Sequence, residues 1–460
     1  MLFNSYQFIA VFFPITLLGY YLFAGTQQLR LTWLLLTSIF FYTYWDIRFL
    51  PLLLGSILVN WLLSLALAPG NRNWLIVCGV GFNLLLIGIF KYLDFFVGSL
   101  YHLTDKPFVP YKLILPLGIS FFTFQQISYL VDRSRGQIKT YPLLDYALYV
   151  IFFPQLIAGP IVRHNEIIPQ YKKSPLRPDI YHHIGAGLLL FALGLIKKTL
   201  LADRLAETAS PLFDKVTVDT VLTMGESWVA SISYSLQLYF DFSGYSDMAI
   251  GLALMMGFSL PINFNAPYRA ASVQEFWRRW HMTLSRFLRD YLYIPLGGNR
   301  HGPTRLLLAL LLTMLLGGLW HGAGWTFVIW GLLHGGALVI NRVWTFRGLS
   351  MPWTAGWVLT LLFLLFSWVV FRAENIATAW SIWQSMVGLH GIDLAAPDSP
   401  NRWFSLLAFI LAVAGPTSHL LAQEKLTPRI GYALAIAGTL FYLTLNVASD
   451  GYSEFLYFQF

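Results

Sequence analysis

Long apolar stretches separated by short polar loops dominate the chain. A helix needs about 20 apolar residues, at about 1.5 Å each, to cross roughly 30 Å of hydrocarbon. Twelve stretches approach this length: 6–24, 31–47, 50–68, 74–96, 113–131, 184–201, 221–240, 306–320, 325–341, 355–371, 403–421 and 430–447. Lipid cannot hydrogen-bond an open backbone, so we expect these stretches to be helical. The pattern predicts an all-α polytopic membrane protein without a separate soluble domain.

The segment 143–158 interrupts this regularity because the loops on both of its sides are basic. Cytoplasmic loops carry an excess of Lys and Arg, so a segment between two such loops is predicted to enter the membrane and return. Pro154, Gly159 and Pro160 favour a broken backbone, which is tolerated at membrane depth only inside protein or along a cavity. A short tilted span is the alternative.

The longest polar interval, 267–305, contains seven arginines against Glu275 and Asp290. Its apolar residues recur at helical spacing and predict an amphipathic helix on the cytoplasmic side. The apolar stripe consists of Phe276, Trp280, Leu284, Phe287, Leu288 and Tyr291.

The polar side of this predicted helix carries Arg278, Arg286 and Arg289, with His281 at its edge. Two roles fit the arginines. They anchor the helix to lipid head groups, or they line the entrance for a polyanionic ligand through their forked donors.

The 36 residues between Arg305 and Arg342 contain no Asp, Glu, Lys or Arg. One continuous helix of this length would measure about 54 Å, too long for a single crossing. We expect the chain to break at 321–324, HGAG, and to form a hairpin with both ends at the cytoplasm, because both flanks are basic. His321 would lie roughly 24 Å inside, where an ionisable residue is by default a functional candidate. A hydrogen bond to a neighbouring helix is the alternative.

The hairpin histidines do not predict a metal site. His321 and His334 would be roughly 19 Å apart on a straight helix, and no HExxH, HxxxH or Cys pair accompanies them. We therefore predict no metal, and a packing or interface role for His334. A lone buried histidine such as His321 suits acid–base chemistry on a hydroxyl, because its ordinary pKa is near 6.5. Trp320 and Trp325 are candidate walls of a cavity there.

Composition agrees with a membrane protein: 57% of residues are hydrophobic and 11% charged, and the mean hydropathy is +0.61. The formal net charge of +8 is attributed to basic cytoplasmic loops, so no nucleic-acid partner is predicted. The single Cys78 excludes an intramolecular disulfide. The first 29 residues are uncharged and so lack the basic region of a cleavable signal peptide, which makes 6–24 a retained span.

Several blocks resemble the membrane-bound O-acyltransferase superfamily, specifically its alginate O-acetyltransferase branch. The blocks are EFWRRWHMTLSRFLRDYLYIPLGGNR (275–300), MLLGGLWHGAGWTFVIWGLLHG (314–335), QLYFDFSGYSDMAIGLALMMGF (237–258), NFNAPY (263–268), FPQLIAGPIVR (153–163), LPLGISFFTFQ (115–125) and FLYFQF (455–460). The resemblance implies one transmembrane domain over 1–460 with about 11 to 12 transmembrane helices, plus re-entrant and amphipathic helices, around a central tunnel. Within it, 1–131 would form N-terminal spans, 132–347 the catalytic core, including 267–305, and 348–460 C-terminal spans.

The resemblance also implies two catalytic positions. His321 in GGLWHG matches the family's reactive histidine. His281 matches a second polar position, which is Asn or Asp in eukaryotic relatives. Its role stays open among polarising the acyl carbonyl, orienting the substrate and holding structure.

Further residues follow from the resemblance as donor or tunnel contacts. The arginines at the donor entrance, expected to bind the phosphates of coenzyme A, are Arg278, Arg279, Arg286 and Arg289. A polar cluster at a predicted helix break, lining the tunnel or forming a buried hydrogen-bond network, comprises Asp241, Ser243, Tyr245 and Asp247. Gln155 and Arg163, which flank the predicted re-entrant segment, are further candidates for the tunnel wall.

The implied activity is O-acetylation in a bacterial inner membrane. Acetyl would come from cytoplasmic acetyl-CoA, a substrate rather than a resident cofactor, and pass to an extracytoplasmic polysaccharide such as alginate through a periplasmic acetyltransferase- or esterase-like partner.

Three alternatives remain. D-alanyl transfer to teichoic acid belongs to a related branch, although DYLYIPLGGNR favours polysaccharide acetylation. A transporter or flippase predicts paired broken helices in symmetric halves, which the sequence does not show. A non-catalytic scaffold would leave His321 replaceable.

Overall fold

The computed structural model describes residues 1–67, 73–217, 219–393 and 402–424, together with 438–439, 442 and 455–456. Over these ranges the chain forms helices, turns and loops and no strand, so the predicted all-α class is confirmed. The α-helices are α1 Phe13–Leu22, α2 Gln27–Thr43, α3 Leu50–Ala66, α4 Asn73–Ile87, α5 Leu93–Leu103, α6 Ile119–Ser134, α7 Leu143–Ile151, α8 Phe153–Leu156, α9 His164–Ile167, α10 Ile180–Ile196, α11 Asp203–Asp214, α12 Met224–Met255, α13 Val273–Arg279, α14 Met282–Leu288, α15 Gly302–His321, α16 Trp325–Phe346, α17 Trp353–Arg372, α18 Ile376–Met386 and α19 Arg402–Ala414. Short π-helical turns join some of them, at Phe8–Phe12, Gly88–Tyr92, Lys197–Ala202, Arg289–Tyr293 and Leu420–Glu424.

In the described part of the chain, six helical stretches are long and apolar enough to cross a membrane. They are Ile47–Ala66, Trp74–Leu103, Ile180–Asp214, Gly302–His321, Trp325–Phe346 and Trp353–Arg372. All six coincide with predicted spans, and the protein is a polytopic membrane protein. The predicted spans 31–47, 113–131 and 221–240 are not among the six. The predicted spans 6–24 and 403–421 contain shorter apolar helices, Phe8–Leu22 and Trp403–Ala414. Most of the predicted span 430–447 lies outside the described residues.

The chain divides into two compact units that alternate along the sequence. The first comprises Met1–Leu193, Tyr245–Pro261 and Ala422–Tyr452. The second comprises Gly194–Gly244, Ile262–Leu421 and Ser453–Phe460. Both histidines of the predicted catalytic pair belong to the second unit.

In the first unit, the predicted break within 143–158 is confirmed. The helix α7 has nine residues and is therefore about 14 Å long, less than half the thickness of the hydrocarbon layer. The chain turns at Phe152 into the four-residue α8, which begins with Phe153 and Pro154. Residues 146–162 are buried in protein, the condition under which broken backbone is stable at membrane depth.

In the second unit, the predicted hairpin forms α15 and α16, separated at residues 322–324. The two helices pack backbone against backbone, because glycines face each other. A Cβ atom on Gly331 would lie 2.6 Å from the carbonyl oxygen of Met314, and one on Gly318 would lie 2.8 Å from the Cα atom of Gly331. Small residues of this kind allow membrane helices to approach closely.

We expect Gly331→Ala to destabilise this hairpin by about 1–3 kcal/mol, because the added methyl group must displace main-chain atoms. The matched control is Gly336→Ala in the same helix, where a Cβ atom meets nothing within 4 Å. Thermal unfolding of the two variants in detergent, followed by tryptophan fluorescence, measures the difference. A Gly331→Ala variant with the stability of the control would contradict the close packing.

The helix break predicted within 241–247 is wrong. The helix α12 runs without interruption over 32 residues. Its polar residues lie within the continuous helix, and one of them, Asp241, forms an ion pair with Lys198.

The amphipathic helix predicted in 267–305 is also corrected: it consists of two short helices, α13 and α14. His281 separates them in the left-handed region, with φ of 42°. The neighbouring segment supplies main-chain partners at this kink, since the N–H of Met282 donates to the carbonyl of Asn263 and the N–H of Asn265 donates to the carbonyl of Arg279. These bonds stabilise the interruption of the helical ladder.

Candidate functional site

His321 is the last residue of α15 and is 5% exposed. Aromatic rings contact its imidazole. The ring centroids of Trp320, Trp330 and Phe371 lie 5.0, 5.1 and 5.4 Å from that of His321. The helix break therefore places an ionisable ring in a buried aromatic pocket built from α15, α16 and α17.

His281 is fully buried, so its predicted position on the polar edge of a helix is wrong. The left-handed kink turns its side chain inward, against Phe242 at 4.7 Å and Trp320 at 6.3 Å between ring centroids. Burial lowers the pKa of His281 to about 3, so the ring is neutral at physiological pH. Because Trp320 also contacts His321, the structure gathers both histidines around one indole ring.

His334 is fully buried and has hydrogen-bond partners at both ring nitrogens. Trp277 Nε1 donates to His334 Nδ1 at 3.2 Å, and His334 Nε2 lies 3.2 Å from Ser367 Oγ. This environment supports the predicted packing role. Among the described residues, no three or more His, Cys, Asp or Glu side chains are grouped so that they could hold a metal ion.

A cavity of about 530 Å³ lies between the α13–α14 segment and the hairpin, within the second unit. We call it the arginine cavity. The arginines that line it are Arg278, Arg286, Arg289 and Arg342. Among the described residues that line it none is acidic, whereas its inner wall is apolar and includes Leu306, Leu310 and Met314.

The structure places Arg279 away from the arginine cavity. Its guanidinium pairs with Glu275 at 2.8 Å, one helical turn earlier. Arg342 is the fourth arginine that lines the cavity, and the sequence analysis did not identify it. The available signal was its position as the first charge after the long uncharged run.

The cavity arginines differ in how far their positive charge is compensated. Arg289 pairs with Asp290 at 2.6 Å, and this hydrogen bond raises the pKa of Arg289 further above its ordinary value. Arg342 lies 4.7 Å from the ring of Phe346, a cation–π contact that leaves its charge in place. Arg278 is exposed and forms no ion pair within the described ranges. The arrangement suits a ligand with several negative charges.

The predicted polar cluster is distributed differently from expectation. Asp241 forms an ion pair with Lys198 Nζ at 2.8 Å and accepts a hydrogen bond from the N–H of Leu456 at 2.9 Å. Lys198 also pairs with Asp203 at 2.8 Å. These contacts support the hydrogen-bond network over the tunnel lining for Asp241. The sequence signal that could have indicated this network is Lys198, a charged residue inside an apolar run.

The other cluster members follow along α12. Ser243 belongs to the second unit and is buried. Tyr245 and Asp247 belong to the first unit, where both are buried and the ring of Tyr245 stacks on Phe3 at 4.6 Å.

The remaining candidates lie in different surroundings. In the first unit, Gln155 donates to the carbonyl of Tyr149. Arg163 is the N-cap residue that precedes α9, and its N–H donates to Glu166 at 2.9 Å. Their roles in a tunnel wall stay predictions. In the second unit, Trp325 begins α16 and is 56% exposed, so it is not the enclosed wall that was expected. Trp320 is buried between the two histidines.

Comparison with known proteins matches residues 117–383 to the model of the membrane-bound O-acyltransferase family. The chain is 45% identical to a peptidoglycan O-acetyltransferase of Helicobacter pylori, over 86% of this chain and 81% of that protein. It is 43% identical to the probable alginate O-acetylase AlgI of Pseudomonas aeruginosa, over 84% and 75% respectively. A teichoic acid D-alanyltransferase of Streptococcus thermophilus is 30% identical over 50% of this chain and 57% of that protein.

Proposed function

Because the chain belongs to the membrane-bound O-acyltransferase family and is an acyltransferase, we propose that it O-acetylates a polysaccharide outside the cytoplasmic membrane of a bacterium. The proposed donor is cytoplasmic acetyl-CoA. The acetyl group would reach an alginate-like exopolysaccharide or a cell-wall polymer through an extracytoplasmic acetyl-handling partner. The similarity to O-acetyltransferases over most of the chain supports the chemistry. The observation that carries the proposal is His321, buried at a helix break in the unit that contains the arginine cavity.

The arginine cavity supports the choice of donor. Coenzyme A carries several phosphate charges, which guanidinium groups bind with paired donors. The apolar inner wall suits the uncharged arm that ends in the thioester. A series of aromatic contacts connects this cavity to the proposed catalytic base. Trp277 lines the cavity, and its ring centroid lies 5.9 Å from that of Trp330. The ring centroid of Trp330 lies 5.1 Å from that of His321.

The proposed reaction uses His321 as general base. The imidazole takes the proton of an acceptor hydroxyl while the oxygen of that hydroxyl attacks the thioester carbonyl. The new C–O bond forms, the C–S bond breaks, and the proton passes from His321 to the departing thiolate. The aromatic rings around His321 exclude water and so limit hydrolysis of the thioester.

Transfer of D-alanine is the second candidate, because the same acyl chemistry serves the teichoic acid relative. Deletion of the gene in its own host separates the two. We expect ester-linked acetyl to disappear from one extracytoplasmic polymer, and to return with a plasmid copy, while ester-linked D-alanine is unchanged. Inverted membrane vesicles supplied with labelled acetyl-CoA should take up label only when the chain is present. Loss of D-alanine with unchanged acetyl would refute the proposal.

A further inference from the structure

Asn263 binds the kink between α13 and α14 through its side chain as well as its main chain. Its Oδ1 atom lies 3.1 Å from His281 Nδ1, 2.9 Å from Thr283 Oγ1 and 3.3 Å from the main-chain nitrogen of Thr283. The three residues are buried, with exposed fractions of at most 2%. The amide oxygen is thus held at the centre of a closed polar cluster.

This cluster determines which nitrogen of His281 carries the proton. The main-chain N–H of Thr283 can only donate, so the side-chain atom of Asn263 that faces it is the carbonyl oxygen and not the amide nitrogen. A carbonyl oxygen only accepts, and His281 Nδ1 therefore donates to it. A neutral imidazole has one N–H. Its Nε2 atom is then the unprotonated nitrogen, with a lone pair.

We propose that Asn263 is a positioning residue that fixes His281 as the Nδ1–H tautomer, so that Nε2 meets the substrate as a hydrogen-bond acceptor. The matching substrate group is a hydroxyl, which offers the donor that such a nitrogen requires. This inference rests on the proposed function and deepens it, because it concerns the acetyl acceptor.

The tautomer distinguishes two of the roles left open for His281, polarising the acyl carbonyl and orienting the substrate. Polarising an acyl carbonyl requires a hydrogen-bond donor, and a neutral ring whose only N–H is bound to Asn263 cannot supply one. Orienting a hydroxyl group requires an acceptor, which Nε2 provides. Burial of the ring keeps it neutral, in agreement with its lowered pKa.

The surroundings hold this orientation. The rings of Phe242 and Phe264 lie 4.7 and 6.5 Å from the imidazole. The main-chain carbonyl of Asn263 accepts from the N–H of Met282 at 2.9 Å, directly after the left-handed residue. Asn263 thereby fixes the backbone and the imidazole of His281 at the same time.

The test uses the full-length chain in detergent with ¹⁵N-labelled histidine, and the signals of His281 are assigned by their loss in His281→Gln. The wild type is expected to show the Nδ1–H tautomer. Asn263→Asp keeps an oxygen acceptor of the same shape but adds a charge that favours the imidazolium, so we expect a doubly protonated ring. The kcat for acetyl transfer should fall at least about tenfold while KM for acetyl-CoA changes little.

Asn265→Asp is the matched control, since Asn265 forms hydrogen bonds only through its main-chain atoms in the described part of the chain. It should leave the His281 spectrum and kcat at wild-type values. An Nε2–H tautomer in the wild type would overturn the inference. So would Asn263→Asp with a protonated His281 and unchanged kcat. Absence of acetyl transfer by the wild type would instead contradict the proposed function, and the tautomer would still be measured.

Discussion

Replacement of His321 by alanine is expected to reduce acetyl transfer by about 10²–10⁴-fold, the usual contribution of a general base. The ring is buried at the end of α15 among three aromatic rings, and no other residue of that helix end ionises near neutral pH. His321→Gln should show a similar loss, because glutamine keeps a polar side chain but does not take up the proton. Ester-linked acetyl released by mild base from the polymer of complemented deletion cells provides the measurement.

The control for this experiment is His301→Ala. His301 is exposed and directly precedes α15, at the end of the helix opposite to His321. It should retain wild-type acetylation. Membrane abundance and thermal stability of each variant distinguish lost chemistry from lost protein. Normal acetylation by a stable His321→Ala variant would exclude the catalytic role and favour the scaffold alternative.

The second large effect is expected in the arginine cavity. Arg278→Ala combined with Arg289→Ala should raise KM for acetyl-CoA by about 10–10²-fold with little change in kcat, because hydrogen bonds to charged groups contribute about 1.5–3 kcal/mol each and solvent reduces this at exposed sites. Binding contributed equally to ground and transition states appears in KM. Initial rates at varied acetyl-CoA in membrane vesicles separate the two constants.

The matched double variant is Arg300→Ala with Arg347→Ala, which removes two exposed charges that do not line the cavity. Its KM should remain at the wild-type value. If both double variants leave KM unchanged while membrane insertion or stability falls, the arginines serve lipid head groups and the donor site lies elsewhere. An equal increase of KM in both double variants would indicate a general effect of removing positive charge.

The sequence was sufficient for features that depend on length and polarity alone. Six predicted spans match long apolar helices, since the thickness of the membrane sets how many apolar residues must follow one another. The break at 321–324 follows from the same constraint, because a run of 36 uncharged residues is too long for one crossing and its glycines offer a place to turn.

Features that depend on partners distant in the sequence could not be predicted in this way. The helical wheel placed His281 at a polar edge because it assumed a continuous helix, whereas Asn263, 18 residues earlier, binds the kink and turns the ring inward. The uninterrupted α12 has the same origin, since its Asp241 is paired with a lysine 43 residues earlier, Lys198. Arg342 joins the arginine cavity because the hairpin returns its helix to the level of the other arginines.

The glycine contacts between α15 and α16 have a mechanical meaning. Where two helices meet through their backbones, no layer of side chains lies between them to rearrange. The pair therefore resists shear and tilts as one rigid unit. Arg342 is near the far end of α16 and His321 is at the tip of the hairpin. A tilt imposed at Arg342 by the proposed donor would therefore be carried to the imidazole of His321, and donor binding would change the orientation of that ring.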